Sequence, residues 1–128
     1  MKTTLISGAG SGIGLSIAEK FYKNKHNLVL LVKNDKQKKK LTKIFNRKKV
    51  EIHSGNLANF SFIERLSKKI KYVDNLINNA ATRNDDHFID VKKKDFDHLI
   101  DLNFKSIFLL TQIFVKKMIK KKIKGSIV

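Results

Sequence analysis

The sequence has no cysteine, no proline and no tryptophan, and it is short of acid: 11 aspartates and glutamates stand against 28 lysines and arginines. Without cysteine there is neither a disulfide framework nor a thiolate metal site, which fits a reducing compartment. The histidines do not make up for it. His26, His53, His87 and His98 lack metal-ligand spacing, and His87 beside Asp85 and Asp86 reads as an exposed loop. No metal site is expected. Met1-Lys2-Thr3 opens without the apolar core of a signal peptide, and no apolar run reads as long enough to span a bilayer. The expectation is a soluble protein of the cytoplasm.

Hydrophobic residues make up 41% of the 128, enough to bury a core as one domain over residues 1–128. The formal net charge is +17. Such a charge suits a nucleic-acid binder, because lysines neutralise phosphates. It equally suits a lysine-, asparagine- and isoleucine-rich composition of the kind biased codon usage produces. The lysines fall in separate clusters: Lys36 to Lys40, Lys48-Lys49, Lys68 to Lys71, Lys92 to Lys94 and Lys116 to Lys124. Each lies on an expected helix face or end, where solvated charge is ordinary. No aromatic residues interleave with them as a base-stacking platform requires. The pattern argues against nucleic-acid binding as the primary function.

Strand and helix patterns alternate with short gaps, the signature of a parallel sheet wrapped by helices. Thr3 to Ser7 reads as a strand, followed by a helix with Ile13, Ile17 and Phe21 on one face. The continuous apolar run Asn27 to Lys33 reads as a strand buried on both faces. Asn34 or Asp35 can cap a helix whose apolar stripe is Leu41, Ile44 and Phe45. Val50 to Ser54 alternates like an edge strand, and Asn59 or Ser61 opens a helix with Ile63, Leu66 and Ile70 inward. Val73 to Ala81 holds a fourth strand and its exit loop. After a polar loop comes a long helix with Phe96, Ile100, Asn103, Ile107, Leu110 and Phe114 on one stripe. Gly125 stops it, and Ser126 to Val128 reads as the first residues of a fifth strand. Right-handed crossovers place the first strand beside the fourth and open a crevice at their carboxyl ends. The fold class is α/β, a Rossmann-type doubly wound parallel sheet, incomplete at its C-terminal side.

Between the first strand and first helix lies SGAGSGIG, Ser7 to Gly14. A glycine-rich turn entering a helix aims backbone N–H groups and the positive helix end at one point, an anion site suited to a pyrophosphate. Gly8 permits the turn, Gly12 lets a ligand approach the backbone, and Gly14 allows close helix packing. The strand–turn–helix context supports binding over a purely conformational use of glycine. Asn103 interrupts an apolar stripe, so its amide faces inward and needs partners. A structural tie and a catalytic role both fit.

With three residues between the first two glycines, this loop resembles that of the short-chain dehydrogenase/reductase family, whose T-G-x-x-x-G-x-G appears here with Ser7 for Thr. The family's N-N-A-G is similar to Asn78 to Ala81, with Ala81 for the last Gly, and its helix Asn is matched by Asn103. The resemblance runs the length of the chain and is nearest the branch of 3-oxoacyl-carrier-protein reductases. It implies an oxidoreductase moving hydride between NADP(H) and a small carbonyl or alcohol substrate, as a homo-oligomer with the long helix at its subunit interface. It implies that Ser7, Gly8, Ser11, Gly12, Ile13 and Gly14 hold the pyrophosphate. Lys33 and Asn34 would face the adenosine ribose, Asn56 and Leu57 the adenine, and Asn79 with Ala80 the nicotinamide side. Asn103 is the one catalytic-site residue implied.

A basic residue at the end of the second strand suits the extra phosphate of NADP, whereas an acidic one suits NAD. Lys33 therefore favours NADP, unless it is one more surface lysine. Asp35 is the competing acid, though its position also suits a helix cap. Asn56 could accept from the adenine amino group or simply shape its loop. The family's proton donor is a Tyr followed by Lys one turn later. Neither Tyr22 nor Tyr72 has that Lys, since His26 and Leu76 stand four residues on. The chain reads as the N-terminal portion of such an enzyme, inactive alone. An unfinished fifth strand and an uncovered helix flank predict poor solubility or oligomerisation.

Overall fold

The computed structural model describes residues 1–128. Its centre is a parallel sheet whose strands lie side by side in the order Val50–Ser54, Asn27–Val32, Thr3–Ser7, Asn75–Ile77 and Ser126–Ile127. The strands are β1 (Thr3–Ser7), β2 (Asn27–Val32), β3 (Val50–Ser54), β4 (Asn75–Ile77) and β5 (Ser126–Ile127). This is the doubly wound Rossmann arrangement expected from the alternating pattern. The period of two along each strand divides the core into two layers. Leu5, Val29, Leu31 and Leu76 face one side and pack with Ile63, Leu66, Leu110 and Phe114. Ile6, Leu28, Leu30 and Val32 face the other, with Ala18, Leu41 and Phe45. Helices thus cover both faces, which is why β2 is buried beyond its first residue.

The helices are α1 (Gly12–Lys23), α2 (Asp35–Ile44), α3 (Phe60–Lys69), α4 (Lys93–Ile100) and α5 (Ser106–Lys120). Asn34 caps α2, its side-chain oxygen accepting the Gln37 N–H at 2.9 Å. Asn59 caps α3 by accepting the Ser61 N–H at 3.0 Å. Asn34→Ala should lower unfolding stability by about 1 kcal/mol. A urea midpoint unchanged from the parent chain would rule out that cap. Where α3 ends, the Lys117 ammonium donates to the carbonyls of Ser67 and Ile70, the latter at 2.6 Å. Burial pushes the Lys117 pKa below the ordinary lysine value.

Three expected apolar stripes are corrected. On α1, Ile17 and Phe21 pack half-buried against the core beside buried Gly14 and Ala18, but Ile13 is 74% exposed. On α2, Leu41 and Phe45 are buried but Ile44 points outward. In the long helix, Leu110 and Phe114 are buried as expected, yet Phe96, Ile100 and Ile107 are exposed. A π-helical segment, Asp101–Lys105, joins α4 to α5. Across it the half-buried or buried Leu99, Leu102, Ser106 and Leu110 keep the ordinary spacing of three or four residues, so Phe96, Ile100 and Ile107 lie beside the inward line rather than on it. Beyond it the buried line is Ser106, Leu110, Phe114 and Met118, whereas α4 buries no residue. Lys105 bridges the segment to Asp101 at 2.7 Å.

The combined helix Lys93–Lys120, 28 residues long, is long and apolar enough to cross a membrane by length and composition. That corrects the expectation that no run reaches this length. Its second half packs against α3 and the sheet through Leu110, Phe114 and Met118, whereas α4 buries no residue.

Candidate functional site

A cavity of about 360 Å³ opens at the carboxyl ends of the strands. The glycine loop contributes Gly8, Gly10 and Ser11 to its wall, and the end of β2 contributes Lys33. Leu57 lines it after β3, and Asn79 to Thr82 line it after β4. Segments separated by some seventy residues, such as Gly8 and Asn79 (|i−j| of 71), are thereby joined at one site.

Ser7 organises the join. Buried at 2% exposure, its hydroxyl accepts the N–H groups of Asn79 and Ala80, each at 3.0 Å. It holds the loop after β4 rather than lining the cavity. Asn79 reciprocates, its Nδ2 donating to the Ser7 and Gly8 carbonyls at 3.2 Å. Gly14 sits beneath this lattice: a Cβ there would lie 2.2 Å from the Gly8 oxygen and 2.4 Å from Asn79 Nδ2. Gly12 is the opposite case, with φ +54 and open space where its side chain would be.

That openness bears on an anionic ligand. The first N–H groups of a helix have no intrahelical acceptor, and the Ser11 side chain makes no cap bond to them in α1. With the helix dipole behind them, these donors fit the pyrophosphate of a dinucleotide. The residues present fit the cofactor.

At the other end, Lys33 lines the cavity and is exposed. Asn34 is occupied as the cap of α2, so its side chain is committed to the backbone. Asp35, the competing acid, accepts from the Ser54 hydroxyl instead. Asn56 does not line this cavity. It lines a neighbouring cleft, and its oxygen accepts the Ala58 N–H at 2.9 Å, shaping the turn.

Asn103 meets its expected need for partners with a backbone clamp. Its oxygen accepts the Thr82 N–H at 2.8 Å, and its Nδ2 donates to the Thr82 carbonyl at 2.7 Å. It sits within the π segment, a helical irregularity frequent at functional sites. Sequence reasoning missed Gln37, which accepts the Lys33 N–H at 3.2 Å and fills the space over Gly10. Its position four residues after Lys33, in the first turn of α2, was the available signal. His98 and Leu102 also line the cavity; no local signal points to them, because only the return of α4 over the crevice brings them there.

The family model for short chain dehydrogenases matches residues 2–128. The chain belongs to the short-chain dehydrogenase family. A 3-oxoacyl-[acyl-carrier-protein] reductase of Rickettsia typhi is 37% identical over 121 residues, covering 94% of this chain and 50% of that protein. Carbonyl reductase [NADPH] 2 of Sus scrofa is 29% identical, over 97% of this chain and 50% of the relative. A short-chain dehydrogenase from Sphingobium yanoikuyae, solved in complex with NADPH, superposes with a TM-score of 0.88 at 25% identity, covering 99% of this chain and 52% of that one. The chain therefore spans about half the length of these short-chain dehydrogenases. The similarity to the reductase branch and the Rossmann-type sheet are as the motifs implied.

Proposed function

We propose that this chain is the cofactor-holding portion of an oxidoreductase that transfers hydride between NADP(H) and a small carbonyl or alcohol substrate. The observation that carries the cofactor choice is the placement of Lys33 on the cavity wall, while Asp35 is bonded to Ser54. A lysine ammonium there offers charge-assisted hydrogen bonds to a ribose phosphate, and a free carboxylate would repel it.

In this reading Ser11, Gly12, Ile13 and Gly14 present the α1 N-terminus to the pyrophosphate, and Gly8 shapes the turn. Leu57 borders the adenine, with Asn56 setting the loop that positions it. Asn79 and Ala80 flank the nicotinamide end. Bound there, the nicotinamide supplies or accepts the hydride. Asn103 acts as a positioning residue that fixes Thr82, and with it the wall beside Ala80. Phe96, Ile100, Phe104, Ile107 and Phe108 leave an exposed apolar band on α4 and α5, which suits the subunit contact of a homo-oligomer in the cytoplasm.

Titrating the chain with NADPH and NADH, read by nicotinamide fluorescence, tests this. NADPH should bind more tightly, and Lys33→Ala should weaken it about tenfold, the equivalent of one charge-assisted contact. NADH affinity should move less than about threefold, because the lost contact is to the extra phosphate. Tighter binding of NADH, or a Lys33→Ala variant that binds NADPH normally, would overturn the assignment. A second reading, a binding module without catalysis, follows from the absence of a Tyr-x-x-x-Lys in these residues. Saturable NADPH binding with no turnover of any carbonyl would favour it.

A further inference from the structure

Every helix in this fold runs against the parallel strands it connects. Helix carboxyl ends therefore gather at the strand starts, the pole opposite the crevice. Lysine suits a helix carboxyl end because the dipole is negative there. The last turns of α1, α2, α3 and α5 all carry it: Lys20 and Lys23, Lys43, Lys68 and Lys69, Lys117 and Lys120. Lysines that are scattered in sequence thus share one pole of the fold.

Two clefts adjoin at that pole. One, of about 490 Å³, is lined by lysines alone: Lys68, Lys71, Lys117, Lys120 and Lys121. The next, of about 420 Å³, shares Lys71 and adds Lys48, Lys49 and Lys69, with Glu51 as its one carboxylate. None of these lysines belongs to an ion pair. Lys117 is held to α3 by its two carbonyl bonds; its four neighbours in the first cleft are exposed. Asp74 also lies at this pole and is occupied by the Thr3 N–H at 2.7 Å.

We propose that this lysine-lined face binds the phosphate backbone of a nucleic-acid duplex. Ammonium groups without carboxylate partners, set along adjoining grooves, favour an extended polyanion and gain from its released counterions. A single strand would need stacking platforms. The clefts offer Tyr72 alone, and Lys121 already sits over its ring at 5.6 Å. An anionic lipid surface would also attract these cations, but it holds a protein most firmly where apolar side chains insert, and the clefts' apolar lining of Leu28, Val29 and Ile70 is buried in the core. A duplex needs neither, only spaced cations. The inference does not depend on the cofactor assignment.

The test is binding of a fluorescent 25-base-pair duplex of mixed sequence to the full chain, followed by polarisation across a salt series. The logarithm of affinity should fall with a slope of about −4 against the logarithm of salt, as for four to five neutralised phosphates. Replacing Lys68, Lys71, Lys120 and Lys121 together by Gln should weaken binding at least tenfold. The same number of Gln changes at Lys39, Lys40, Lys92 and Lys94, which are exposed elsewhere, should weaken it less than threefold. Arg at the first four positions should retain binding. Equal losses in the two Gln variants would show that net charge alone is at work and overturn the proposal. So would capture by vesicles rich in anionic lipid at a salt concentration where the duplex does not bind.

Discussion

Gly14→Ala is expected to lower the stability of the chain by about 3 kcal/mol and to abolish NADPH binding, the upper part of the range for overpacking a close-packed site. Helix propensity alone predicts the opposite sign, since alanine replaces glycine in a helix with a gain of about 1 kcal/mol. The steric effect wins because the new Cβ would meet the Gly8 carbonyl at 2.2 Å and Asn79 Nδ2 at 2.4 Å. Neither neighbour is the loose end of a flexible side chain. One is backbone, and the other is tied to the Ser7 and Gly8 carbonyls. Relief therefore means moving α1 off the glycine loop, which also displaces the N–H groups offered to the pyrophosphate. Gly12→Ala is the control. It meets no atom within 4 Å but has φ +54, so it should cost only about 1 kcal/mol of backbone strain. Urea denaturation of both variants, with NADPH titration beside it, decides the matter. A Gly14→Ala chain as stable as its parent would mean the loop and helix are not packed this way.

The second large effect is expected at Asn103. Leucine has nearly the same size but cannot bond, so Asn103→Leu should lower stability by about 2 kcal/mol, through two lost hydrogen bonds and a stranded Thr82 peptide. The loss stays modest because Asn103 is only half-buried, which leaves water some access. NADPH binding should weaken in parallel, since Thr82 lines the cavity wall next to Ala80 and Ala81. Asn103→Asp keeps the acceptor for the Thr82 N–H but sets a carboxylate against the Thr82 carbonyl. It should recover part of the stability at most. If Asn103→Leu melts and binds like the parent chain, the clamp has no energetic role, and the residue must matter for chemistry alone.

Much of the site was legible because its chemistry is local. The glycine spacing, the strand before it and the helix after it all fall within Thr3 to Lys23. The capping by Asn34 and Asn59 was readable for the same reason. Asn103 was legible as an inward polar residue, but whether it reached water, ligand or backbone was not, because its partner Thr82 lies 21 residues away. Asn56 went the other way. A strand-end position marked it for the adenine, while an Asx turn to Ala58 faces it into the neighbouring cleft. The long apolar stripe failed at Phe96, Ile100 and Ile107 because the helix is apolar on more than one flank, and period alone does not say which flank faces the core; Leu99, Leu102, Ser106 and Leu110 face inward instead.

By itself, then, the sequence determined the alternation of strands and helices, the glycine-rich strand–turn–helix and the family. The first two depend on residues close together along the chain, where backbone geometry and hydrophobic period act directly, and the family on the order and spacing of short motifs from Ser7 to Asn103. Only the tertiary structure decided which groups meet. It set Ser7 as the hub holding Asn79 and Ala80, brought Gln37 and His98 to the crevice wall, and turned Asp35 to Ser54. It also sorted the charge. Lysines from clusters that read as separate, Lys48-Lys49, Lys68 to Lys71 and Lys117 to Lys121, meet at one pole, because parallel strands joined through helices leave every helix pointing its carboxyl end the same way.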